Sequence, residues 1–98
     1  MRDPLVLQEV KATLALLTER SPGRAIEVRV PPNAAVQCGE GPPHTRGAPA
    51  NVIEMDAQTW LALAHGERTW ADAMAAGLII ASGVRADLTS LLPLKIAP

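Results

Sequence analysis

The spacing of apolar and polar residues changes several times along the chain, and each change marks an element. After Asp3-Pro4, Leu7, Val10, Leu14 and Leu17 recur at spacings of three and four, with Val6 beside them and Gln8, Glu9 and Lys11 on other faces. This predicts an amphipathic helix, opened by an Asp cap and by a Pro at the first helical position, where its missing N–H costs nothing. Ser21-Pro22-Gly23 ends it near Thr18 to Arg20. The period then falls to two. Ile26, Val28 and Val30 alternate with Glu27 and Arg29, predicting a half-buried strand over Ala25 to Val30 that Pro31-Pro32-Asn33 closes. Ala34, Val36 and Cys38 alternate with Ala35 and Gln37, predicting a second strand antiparallel to the first.

Gly39 to Pro49 is dense in Gly and Pro and reads as a surface loop, with room for a short edge strand around His44 to Gly47. Asn51 to Met55 re-enters the sheet. Asp56 caps a helix from about Ala57 to His65, along which Trp60, Leu61 and Ala64 recur until Gly66. Thr69 with Asp72 resembles a capping box, opening a second helix with Trp70, Ala73, Met74 and Gly77 on one stripe. Leu78 to Ala81 is a short apolar run between glycines and predicts a strand, with Ile79 and Ala81 inward and Leu78 and Ile80 outward. Val84, Leu88, Leu91 and Leu92 fit one face of a C-terminal helix limited by Pro93, with Leu94 and Ile96 in an extended tail.

The stretch from Asn51 to Gly83 therefore reads as strand, Asp-capped helix, Ala-x-x-x-Gly helix, and strand. It resembles the C-terminal half of the sterol carrier protein type 2 family in its compact bacterial form, with Ala73, Gly77, Ile79, Ala81 and Gly83 at the family's small, apolar and glycine positions. The similarity extends over roughly Ser21 to Leu94. It implies an α+β fold, a mixed four- to five-stranded sheet with helices packed on one face. The whole chain would form a single domain: N-terminal helix to residue 20, strands and Pro/Gly loop over 24–55, two helices over 56–77, a strand over 78–83, and a C-terminal helix and tail over 84–98.

Composition narrows the function. The chain has 98 residues, 48% of them apolar and 2% aromatic, so one small core must be built from aliphatic side chains around Trp60 and Trp70. A formal net charge of −1 with acids and bases interspersed supplies no basic stripe, which argues against nucleic acid as a partner. No apolar run approaches the ~18 residues of a membrane span, no export signal is recognisable, and a single Cys38 precludes an intrachain disulfide framework. A cytoplasmic protein is the expectation. One Cys and two His, His44 and His65, fall short of any closed metal-site spacing, and no cofactor motif is present. His65, at a helix C-terminus, reads as a dipole partner.

The resemblance implies non-catalytic binding or transfer of an apolar small molecule, such as a fatty acyl chain, lipid or sterol-like compound, in a cavity between sheet and helices. The expected wall is Ile26, Val28, Trp60, Leu63, Met74, Ile79 and Leu88, with His44 and Arg46 as polar head-group contacts. The same apolar residues would serve a plain core. An empty void of about 200 Å³ would cost on the order of 5 kcal/mol, so such a cavity must be occupied or nearly absent. The alternative is an interaction or accessory domain with a filled core, dimeric through Leu78 and Ile80 or associated with an enzyme subunit. Catalysis is the weakest reading: Cys38 with His44 is the one nucleophile-base pairing on offer, no acid is placed to orient His44, and Cys38 reads as an inward strand residue.

Overall fold

The computed structural model describes residues 3–32, 34–41 and 51–94, and the predicted edge strand and head-group contacts around His44 and Arg46 lie outside them. Helix α1 spans Pro4–Arg20, β1 Ile26–Val30, β2 Ala34–Cys38 and β3 Val52–Glu54. They are followed by α2 (Ala57–Ala64), α3 (Trp70–Ala75) and β4 (Ile80–Ser82). The strands form one four-stranded mixed sheet in the order β2-β1-β3-β4. β1 runs antiparallel to β2, Val28 opposite Val36, and parallel to β3, Val28 opposite Ile53; β3 runs antiparallel to β4, Ile53 opposite Ala81. The fold is α+β, as the sequence implies.

The period-two pattern of β1 explains which face is covered. Ile26, Val28 and Val30 are buried, while Glu27 and Arg29 point to the other side, half-buried and paired with each other. On the covered side α1 packs against β2 and α2. Its buried stripe is Val10, Thr13, Leu14 and Leu17. Thr13 is the polar member: its hydroxyl donates to the carbonyls of Glu9 (2.8 Å) and Val10 (3.0 Å) and accepts from Trp60 Nε1 at 2.8 Å. Among the described residues, no buried side-chain nitrogen or oxygen lacks a partner.

Both central helices end as their glycines predict. In α2, Glu67 N–H donates to Ala62 O and Gly66 N–H to Leu63 O, with Gly66 at φ +79°. In α3, Leu78 N–H donates to Ala73 O and Gly77 N–H to Met74 O. Each pair of bonds satisfies carbonyls that a helix end otherwise leaves open, and the left-handed residue they require is cheapest as Gly.

The predicted C-terminal helix is not formed. Residues 83–94 make turns and a short 3-10 segment, Thr89–Leu91, and Val84 is fully exposed rather than part of an inward face. A side chain has taken one donor that a helix would use, the Thr89 N–H, and another fixes the chain at Arg85. Asn51 Oδ1 accepts Arg85 N–H at 2.9 Å, and Asp87 Oδ1 accepts both Thr89 N–H (2.8 Å) and Thr89 Oγ1 (2.5 Å). Between Asp87 and Pro93 too few residues remain to offset the cost of helix nucleation. Leu88 is nevertheless buried, and Leu94 N–H donates to Ala64 O, tying the segment to the end of α2.

Candidate functional site

Three element ends converge on one side of the core and leave a half-open groove of about 720 Å³ between them. The first turns of α1 contribute Asp3, Pro4, Val6, Leu7 and Val10. The end of β1 and the turn after it contribute Val30, Pro31 and Pro32, and the start of α2 contributes Asp56, Ala57, Gln58 and Leu61. Val10 and Val30 are buried members of the core cluster that the groove reaches, and Val6, Ala57 and Leu61 pack against that cluster while still contacting the groove. The volume lies in the range typical of small-molecule sites, and the wall has their usual character, aliphatic with a few polar groups.

Each feature of this arrangement has a local cause. Asp3 caps α1 by accepting Leu5 N–H on Oδ1 at 2.9 Å, and Asp56 caps α2 by accepting Thr59 N–H on Oδ1 at 2.7 Å. Both carboxylates are thereby held at the rim, exposed. Pro31 and Pro32 also line a smaller recess of about 320 Å³, with Arg29, Ala34 and Ala35.

A family model described as bacterial SCP ortholog matches residues 3–94 of the chain. The chain belongs to this family. A comparison with curated proteins returned no match. Membership carries a lipid-binding or carrier role at the coarse level, in a family that is generally non-catalytic.

In this chain the wall anticipated from the sequence sits elsewhere than the groove. Ile26, Val28, Trp60, Leu63, Ile79 and Leu88 are all buried in the core cluster, and none lines either recess. Met74 lies apart from the others: it is 42% exposed, because α3 is only six residues long and turns Trp70 and Ala73 inward, leaving the next position facing water. What sequence reasoning missed was the groove lining itself. Its residues were legible as helix caps, first-turn apolar positions and a Pro-Pro strand end, and nothing in their spacing announces that the three ends meet.

The remaining candidates fall into place around this site. Cys38 is fully buried, and burial pushes its thiol up from the ordinary value, the reverse of what a nucleophile needs. Among the described residues no group of three His, Cys, Asp or Glu is arranged to hold a metal ion. His65 is the C-cap residue of α2, and its Nε2 lies 2.6 Å from Glu9 Oε2 on α1, a half-exposed contact of the kind that adds little stability. Leu78 and Ile80 face outward as expected, 37% and 67% exposed, while Ile79 is buried. No described helix is long and apolar enough to cross a membrane.

Proposed function

We propose that this chain is a non-catalytic carrier that holds the apolar body of a small molecule in the groove between the start of α1, the β1–β2 turn and the start of α2. The observation that carries the reading is the groove's position: its floor, Val10 and Val30, is continuous with the core, so an apolar guest there extends the core instead of requiring an empty interior. The packed region around Trp60, Leu63 and Leu88 is then scaffold. A void there would carry the full cavity penalty, whereas a half-open groove fills with water when vacant.

The test uses decanol as an uncharged probe, titrated by calorimetry against wild type and Ala57→Trp. Ala57 lines the groove from the first position of α2 and is only half-buried, so a larger side chain there occupies guest volume without entering the packed interior. Wild type is expected to bind, and Ala57→Trp to lose about tenfold or more in affinity while remaining folded. Unchanged binding in the variant would place the ligand elsewhere.

A second reading is favoured by one observation. β4 is an edge strand of the sheet and presents Ile80, 67% exposed, on its outward side, with Leu78 just before it. Under that reading the chain self-associates in sedimentation experiments and Ile80→Lys makes it monomeric, with stability changed by no more than about 0.5 kcal/mol.

A further inference from the structure

We propose that the groove discriminates by head-group charge, taking a single-chain amphiphile with an ammonium or hydroxyl head in preference to one with a carboxylate. The inference rests on the carrier reading above and deepens it. Among the described residues that line the groove the charged side chains are Asp3 and Asp56, and none is Lys, Arg or His. The polar end of a guest whose chain lies against Val10, Val30 and Leu61 therefore emerges at a rim carrying two carboxylates.

Two helix N-termini at the same rim would by themselves attract an anion, because each carries about half a positive charge and open N–H groups. Here that attraction is already spent. Each Asp places a full negative charge on the end it caps and takes one N–H: Leu5 at α1 and Thr59 at α2. At α1, Pro4 in the first helical position has no N–H to offer, and the Leu7 amide donates to the Asp3 carbonyl at 3.1 Å. At each end a full negative charge outweighs half a positive one, so the net field favours a cation. A hydroxyl is accommodated too, since it donates to a carboxylate oxygen as readily as it accepts from an amide. Because both carboxylates are exposed and water-screened, the discrimination is modest, about tenfold rather than thousandfold.

The experiment compares decylammonium, decanol and decanoate, each below its micellar concentration, at neutral pH and at low and high salt. It uses wild type and the double variant Asp3→Asn with Asp56→Asn. Asn caps a helix about as well as Asp, so the variant keeps its fold while losing both charges. The expected result is that decylammonium binds wild type about tenfold more tightly than decanoate, with decanol between them, and that the gap closes in the double variant and narrows with salt. Binding of decanol with no preference between the charged probes overturns this inference alone. So does a preference that survives the double substitution. Failure of all three probes to bind overturns the carrier reading and this inference together.

Discussion

Thr13 offers the sharpest test of how the helices are joined. Its hydroxyl is the acceptor for Trp60 Nε1 at 2.8 Å, in a place where Trp60 is fully buried and Thr13 5% exposed. Thr13→Val keeps the shape and nearly the same helix propensity but leaves the indole N–H buried without a partner, a loss of about 1 to 3 kcal/mol. The carbonyls of Glu9 and Val10 that Thr13 also contacts lie within α1 and keep their helical partners. The methyl gained in place of the hydroxyl offsets up to about 0.8 kcal/mol. With that offset in full, the net expectation is a destabilisation of about 0.2 to 2 kcal/mol, or a Tm lowered by up to roughly 15 °C for a chain of this size. Urea denaturation followed by far-UV circular dichroism measures it. The same substitution in a Trp60→Phe background removes no buried donor's partner, so there it should be neutral or mildly stabilising. Equal destabilisation in both backgrounds, or none in wild type, would refute the claim that this hydrogen bond joins α1 to α2.

Further outcomes follow from other buried groups. Asn51 is buried, donates from Nδ2 to Ala25 O at 2.9 Å and accepts Arg85 N–H at 2.9 Å, so Asn51→Ala should cost about 1 to 3 kcal/mol and speed hydrogen exchange at Arg85. Loss of stability without faster exchange there would contradict the claim that Asn51 holds the Arg85 amide. Cys38 should resist iodoacetamide in the folded protein and react on unfolding, because burial raises its pKa and hides it. The sign of its linkage is set by the same shift. Above the ordinary thiol pKa the unfolded chain loses a proton that the folded one keeps, so stability falls with pH from that value up to the raised one, by at most about 1.4 kcal/mol per pH unit. Cys38→Ala should remove this alkaline slope, and an unchanged slope would assign it to another group.

Much of the fold could be read residue by residue because local chemistry sets its boundaries. Asp3-Pro4, Asp56 and Thr69 open α1, α2 and α3, and Gly66 and Gly77 close the last two with the bonds their positions imply. The alternation in β1 survives in its burial, whereas in β2 Val36 and Gln37 are both half-buried and only Cys38 is fully covered. The C-terminal helix failed because its apolar spacing was real but Asp87 takes the Thr89 N–H that a helix would send back to Arg85, turning the backbone locally. Strand β4 begins at Ile80, two residues later than the apolar run, because Leu78 N–H is still engaged in closing α3. The groove was hidden for a related reason. Val10, Val30 and Leu61 are each ordinary packing residues in their own element, and only the meeting of three termini makes them a wall.

The central claim is that the ligand sits among element ends rather than between sheet and helices. Backbone amide chemical shifts recorded through a decanol titration test it most directly. The account predicts perturbations concentrated at the start of α1, at Val30 and at Asp56 to Leu61, with Leu63, Ile79 and Leu88 little changed. Shifts centred instead on Leu63, Ile79 and Leu88 would contradict it, as would spectra that decanol leaves unaltered.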